Sequence, residues 1–233
     1  VQNLSSSDYT IKNKDFELTV GVPRNAVEDD KIGLYNPSVQ MLGQSAAMHP
    51  DELVFTLLGK GFAEKCYDGE TFFSTEHKVG KKKVSNRGTA KLTLAAYIAA
   101  RAAMMSLTNA KGMALGLVPD VLVVPPALEA AARDILVADY INGTKNTMQG
   151  TAKPLVAPLL AGHDSSWFLL CTSRPIKPLI YQQRQKAKFV SLTAETDPNV
   201  FMKKQYVYGV DSRGNTGYGF WQMAYGSDGS AEE

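Results

Sequence analysis

The sequence predicts an α+β protein in two lobes. Three observations predict it: a period-two stretch ahead of Pro23, a long helical region behind it, and strand-like segments crowding the C-terminal part after mixed material. At 233 residues the chain can bury a substantial core, and 44% hydrophobic with 21% charged residues is the balance of an ordinary globular protein. Against 25 basic residues stand 23 acidic ones, a net charge of +2, which excludes a dedicated nucleic-acid binder with a concentrated basic face.

Tyr9 to Val22, "YTIKNKDFELTVGV", alternates and stops before a proline, so it reads as a strand. Pro23 suits the first turn of a helix, and Glu28, Asp29 and Asp30 favour an N-terminal half. Val39, Leu42, Ala46 and Ala47 recur at helical spacing. His49-Pro50 should interrupt that helix before "DELVFTLLGKG" resumes it, because proline lacks an N–H and crowds the preceding turn. "CYDGETFFSTEHKVGKKKVSNRG" is turn-rich, with a short hairpin expected at Asp68-Gly69. Thr93 to Leu107 is an alanine-rich helix whose stripe should be Leu94, Ile98, Ala102 and Met105. "VLVV" (Val121 to Val124) and "WFLLCT" (Trp167 to Thr172) read as buried strands, and Pro126 starts a helix through "ALEAAARDILVAD". "NGTKNTMQGTAKP" reads as a loop or lid; "PLIYQQ", "AKFVSLTA" and the end of the chain are strand-like.

Tyr208 to Ser227 packs five aromatics and five glycines into twenty residues. One straight strand through it would be too long for a typical sheet, so Gly214, Gly217 and Gly219 are expected to mark a turn or bulge. Asp211, Arg213 and Asn215 share one side of that strand and suit either a contact with a neighbouring element or subunit, or a solvated face. Lys81 to Lys83, and Lys186 with Lys188, read as solvated edges.

Motifs for catalysis fail individually. Cys66 with His77 offers a thiol–imidazole pair, hence a thiol hydrolase as an alternative function, but no orienting group is evident; the plainer reading is a structural cysteine and a surface histidine. His49, His77 and His163 lack metal-ligand spacing, so neither a zinc centre nor a cofactor is expected. "LLGKGFAEK" does not complete a phosphate loop, "GMALGLVP" lacks the dinucleotide pattern, and "HDSSW" lacks the hydrolase elbow. Cys66 and Cys171 follow no ligand spacing and read as free thiols. No run of apolar residues is long enough to span a membrane, and the start at Val1 rather than Met reads as a cut end.

Taken in order, "VPRNAVEDDKIGLYNP", "AAMHPDELVFTLLGKGF", "CYDGETFFSTEH", "LVPDVLVVPPALEAAARDIL", "SSWFLLCTSRPIKPLIYQQRQKAKF" and "YVYGVDSRGNTGYGFWQMAYGS" resemble the major head (capsid) proteins of Mu-like bacteriophages and prophages, from about Tyr9 to Ser227. The resemblance implies the Hong Kong-97-type capsid fold: a partial E-loop at 1–22, a discontinuous P-domain at 23–84 and 173–233 with its spine helix across Ala26 to Gly61, and an A-domain at 85–172. The family's N-terminal arm and outgoing E-loop strand have no counterpart here, so Val1 to Phe16 is expected to be disordered or paired to another chain.

What the resemblance implies for function is a structural protein and not an enzyme. Copies would assemble as pentamers and hexamers of an icosahedral shell around packaged double-stranded DNA, in the host cytoplasm, and end in the virion. Scaffold, portal and decoration proteins would be partners; DNA would be touched only weakly and nonspecifically, and a weak DNA-binding module is the remaining alternative. Candidate charges at subunit contacts are Glu28, Asp29 and Asp30 against Lys12, Lys14, Arg174, Lys177 and Arg184. Asn142 and Lys145 would sit in a loop at the symmetry axes, and Asp211 with Arg213 on a sheet face turned to a neighbour.

Overall fold

The computed structural model describes residues 10–29, 33 and 35–231. Strand β1 (Lys14–Pro23) runs into a one-turn helix α1 (Arg24–Glu28), with Pro23 as its N-cap. Helix α2 (Tyr35–Gly59) is a single 25-residue helix that carries Pro50 inside it. The expected interruption is absent: Pro50 removes one rung of the hydrogen-bond ladder, and the helix continues on both sides. Then come β2 (His77–Val79), β3 (Lys82–Val84), β4 (Arg87–Gly88) and α3 (Leu94–Met105), whose N-cap Thr93 accepts from the Ala96 N–H at 3.1 Å. Strand β5 (Val121–Val124) ends at prolines, and Pro126 opens a 3₁₀ turn that leads into α4 (Glu129–Leu136). The remaining elements are β6 (Tyr140–Ile141), β7 (Thr144–Lys145), β8 (Lys153–Val156), β9 (Trp167–Leu170), β10 (Leu179–Leu192), α5 (Pro198–Lys203), β11 (Gln205–Tyr218) and β12 (Ala224–Ser227).

These elements form two compact units. Among the described residues, the larger comprises Val54–Ile180 and those from Gly217 onward; the smaller comprises those within Ile11–Leu53 and Tyr181–Thr216. At the centre of the larger unit is a five-stranded mixed sheet, order β4-β12-β9-β5-β8. Every side chain of β9 is buried, as its unbroken apolar run requires for a strand covered on both faces. Phe73 is fully buried between Phe62, Phe72 and Phe168, with ring centroids 4.9, 4.9 and 5.4 Å away. Gly61 and Gly226 make room for it, since a Cβ on either would stand 2.7 or 2.8 Å from the Phe73 ring. Burial of each such aromatic contributes about 1.5–3 kcal/mol.

The smaller unit holds a three-stranded sheet, order β1-β11-β10, with β11 in the centre. Strand β1 pairs antiparallel with β11 from Lys14 opposite Gly214 to Pro23 opposite Gln205. The expectation that Val1 to Phe16 lacks a partner in its own chain therefore fails for Lys14 to Phe16; Val1 to Tyr9 lie outside the described residues. "PLIYQQ" and "AKFVSLTA" fall in one 14-residue strand rather than two.

Other local expectations shift as well. In α3 the buried residues are Tyr97, Ala100 and Met104, while Ile98 and Met105 are exposed. An alanine-rich helix offers two apolar stripes, and the Tyr97 hydroxyl, 2.8 Å from Thr151 Oγ1, selects one. The hairpin of the turn-rich segment is β2–β3, closed at Gly80 and Lys81; Asp68-Gly69 makes a tight turn with a single bridge between Lys65 and Thr71. "NGTKNTMQGTAKP" begins as a hairpin, β6–β7, turned by Asn142 (φ 49°) and Gly143 (φ 76°). Gly214 and Gly217 lie inside β11, and the break comes at Gly219 to Met223. Gly214 is there because β10 approaches closely: a Cβ would meet Gln182 O at 2.9 Å.

Candidate functional site

Chemistry-bearing side chains converge most tightly in the turn after the long helix. Gly69, at φ 86°, lets the chain from Cys66 to Glu70 fold back on itself, closed by Gly69 N–H to Cys66 O (3.1 Å) and Cys66 N–H to Glu70 O (2.8 Å). That turn places Asp68 between two partners. Its Oδ1 accepts from the Cys66 thiol and the Glu70 N–H, both at 3.1 Å, and its Oδ2 lies 2.6 Å from His77 Nδ1. The other ring nitrogen, Nε2, stands 3.2 Å from Phe72 O. Trp221 stacks on the imidazole at 4.1 Å with the planes 5° apart.

His77 is wholly buried, which corrects the expected surface histidine. Its burial comes from the aromatic-rich C-terminal stretch, which supplies Trp221, and from an acceptor on each side of the ring. The thiol-hydrolase reading also fails. Cys66 hydrogen-bonds to a carboxylate rather than to the imidazole, and burial, reinforced by Asp68, pushes its pKa up to about 12. The reactive thiolate is then scarce at neutral pH. Burial alone would raise Asp68, but hydrogen bonds from His77 and Cys66 outweigh it and hold the carboxyl below its usual range. Burial likewise pushes Tyr67 up to about 12, and its hydroxyl donates to Gln222 Oε1 at 3.1 Å.

A second cluster belongs to the smaller unit. Residues of β1, β11 and α2 line a cavity of about 450 Å³, with Phe16, Leu18, Ala46 and Val210 as its apolar walls and Asp15, Glu17 and Glu52 around them. His49 meets Phe16 edge-on at 4.2 Å, and its Nδ1 lies 3.5 Å from Glu52. In the same unit, Phe201 and Met202 on α5 are each 79% exposed, and Phe189, Val190 and Leu192 of β10 are exposed too.

The expected contact charges are divided between the units. In the smaller one, Arg213 pairs with Asp15, Gln185 Nε2 donates to Asp211 at 2.6 Å, and Asn215 donates to the Lys12 carbonyl at 2.7 Å. Lys14 begins β1 opposite Gly214, and Arg184 is exposed on β10. Glu28 pairs with Arg24 at 3.5 Å and receives the Tyr206 hydroxyl at the same distance; Asp29 flanks α1, and Asp30 lies outside the described residues. In the larger unit, Asn142 and Lys145 are exposed on the β6–β7 hairpin, Arg174 donates to the Leu115 and Gly116 carbonyls, and Lys177 to the Thr172 carbonyl. Asn86, Phe201 and Met202 carry no signal in the sequence, and Asp68, two residues from Cys66, reads there only as a turn residue.

The sequence matches the family described as Mu-like prophage major head subunit gpT in three segments, 1–91, 87–160 and 156–232. This chain belongs to the Mu-like major head subunit family. Relatives include the major capsid protein of Escherichia phage Mu, 33% identical over 96% of this chain and 53% of that protein. The Mu-like prophage FluMu major head subunit of Haemophilus influenzae is 33% identical over 95% of this chain and 53% of that protein. The chain thus spans about half the length of the curated relatives it matches. Among solved structures, the procapsid of bacteriophage JBD30 is 36% identical, with a TM-score of 0.51 over 95% of this chain and 52% of that one. The fold is accordingly the α+β capsid fold of the Hong Kong-97 type. No described helix of this head-subunit relative is long and apolar enough to cross a membrane.

Proposed function

We propose that this chain is a structural subunit of a phage head, associating with copies of itself into an icosahedral shell around double-stranded DNA. The observation that carries the reading is the family match, which runs through nearly the whole chain. Geometry supports it: the smaller unit has a sheet whose outer strands β1 and β10 are edges, beside exposed Phe201 and Met202. Weak contacts of this kind suffice in a closed shell, because multivalency multiplies them. The buried, carboxylate-bonded thiol favours this structural role over catalysis.

On this reading 1–22 is the E-loop remnant, 23–84 with 173–233 the P-domain, and 85–172 the A-domain. The charges from Lys12 to Arg213 discussed above then face neighbouring subunits, and pentamers and hexamers form in the host cytoplasm before the virion is complete. Scaffold and portal proteins are further partners, and a JBD30 capsid described as decorated with minor capsid protein trimers, 25% identical over 68% of this chain at a TM-score of 0.60, supports a decoration partner. DNA contact is weak, since a net charge of +2 gives little hold on phosphate.

The test is electron microscopy and sedimentation of the chain over a range of protein concentration, salt and pH. Wild type should form shell-like particles, and Phe201→Asp with Met202→Asp should reduce particle yield at least tenfold while circular dichroism stays unchanged. Monomers under every assembly condition, or undiminished yield in the folded double variant, would overturn the proposal.

A further inference from the structure

The turn at Cys66 has a consequence that shell formation does not require. Sulfur, oxygen and nitrogen donors from Cys66, Asp68 and His77 all lie within 4.8 Å of one another. They belong to one short segment, and Gly69 together with the Glu70 backbone holds the thiol and the carboxylate in place. The third donor is oriented from behind. Phe72 O can only accept, so His77 Nε2, 3.2 Å away, carries a proton. Nδ1 then faces Asp68 Oδ2 at 2.6 Å, and the proton of that hydrogen bond lies between the two atoms.

We propose that Cys66, Asp68 and His77 form a binding site for one divalent cation of the zinc class. A cation would replace that proton, while Nε2–H to a backbone carbonyl is the outer support usual behind a metal-bound histidine. Thiolate with imidazole selects zinc or cobalt over magnesium or calcium, which prefer oxygen ligands. Binding releases two protons, one from the Cys66 thiol and one from between Nδ1 and Oδ2. The charges then sum to zero: two positive on the ion, one negative each on sulfur and carboxylate, and a neutral imidazole. Tetrahedral bonds of about 2.0–2.3 Å require Nδ1 and Oδ2 to separate by somewhat under 1 Å, and the partly exposed Asp68 side can admit water as the fourth ligand. The segment gains a staple where regular structure is sparse, between the long helix and α3. Histidine spacing alone gave no sign of this, because the set includes an aspartate.

Cobalt(II) is the probe. The chain is stripped with a chelator, dialysed, and titrated with cobalt(II) while the thiolate-to-metal charge-transfer band in the near ultraviolet is followed. One equivalent should saturate it, and zinc should displace it. Cys171→Ala should keep the band, Cys66→Ser should lose it, and Asp68→Ala, a change at a partly exposed position, should weaken binding at least tenfold. Free zinc should raise the unfolding temperature of wild type but not of Asp68→Ala. A folded wild-type chain with no charge-transfer band, or a band of equal strength in Cys66→Ser, would overturn the proposal. If Cys66→Ser does not fold, unchanged cobalt affinity in Asp68→Ala would do the same.

Discussion

Replacing Asn86 by alanine should destabilise the larger unit more than the loss of one polar side chain ordinarily does. Asn86 is 2% exposed and ties residues 72–74 to residues 221–224. Its Oδ1 accepts the Ser74 N–H at 2.9 Å, and its Nδ2 faces the carbonyls of Phe72 (2.9 Å), Trp221 (3.2 Å) and Ala224 (3.2 Å). Two amide hydrogens serve three acceptors, so the side chain makes about three full hydrogen bonds. Alanine orphans the buried Ser74 N–H, at about 1–3 kcal/mol, and forfeits two further bonds at about 1 kcal/mol each. Phe72 O keeps His77 Nε2, which limits the loss there. The expected cost is about 3–4 kcal/mol, a fall in unfolding temperature on the order of 10 °C for a unit of this size. Urea unfolding followed by tryptophan fluorescence measures it directly, since Trp167 and Trp221 are both buried in this unit. A loss under about 1 kcal/mol, with the slope unchanged, would refute the view that Asn86 pins the C-terminal stretch.

Two further predictions concern the same unit. Asp228 is held below its usual pKa: burial would raise it, but hydrogen bonds from Ser230 and the Arg87 guanidinium at 2.9 Å outweigh that. A carboxyl depressed on folding stabilises above its unfolded pKa and loses that contribution as pH falls through the folded value. Stability should therefore drop on acidification below the ordinary carboxylate range, and Asp228→Asn should flatten that part of the wild-type profile in thermal melts across pH. In α3, Tyr97→Phe should cost about 1 kcal/mol by removing the bond to Thr151, whereas Ile98→Gln should stay within about 0.5 kcal/mol. Equal losses in chemical denaturation would show that the exposed stripe has been misassigned.

How far the fold can be read from the residues depends on how local the deciding interaction is. The buried strands Val121–Val124 and Trp167–Leu170 follow from uninterrupted apolar runs bounded by breakers, and Thr93 marks the start of α3 by a capping bond three residues long. Gly143 next to Asn142 makes a hairpin that turn chemistry alone could have revealed. The face of α3 could not be read this way, because Ile98 and Tyr97 are both large and the choice rests on Thr151, 54 residues away. Gly214 misled for a related reason: a glycine required by a neighbouring strand looks, in sequence, like one required by a turn.

The thiol–carboxylate–imidazole cluster was half legible. Cys66 and His77 were visible as a pair, yet a pairwise reading asks whether one activates the other and stops when no third group is found. Asp68 is that third group, and it acts in the opposite sense, taking the thiol's hydrogen bond and raising its pKa. What hides the histidine is Trp221, 144 positions further on and stacked at 4.1 Å. No spacing rule reaches across that interval. The aromatic-glycine stretch therefore serves the larger unit in two ways: its tryptophan covers His77, and its Gly226 admits the ring of Phe73. A third demand falls on Gly214 in β11, where β10 approaches too closely for a Cβ, so glycine and aromatic positions in this stretch answer to separate packing contacts.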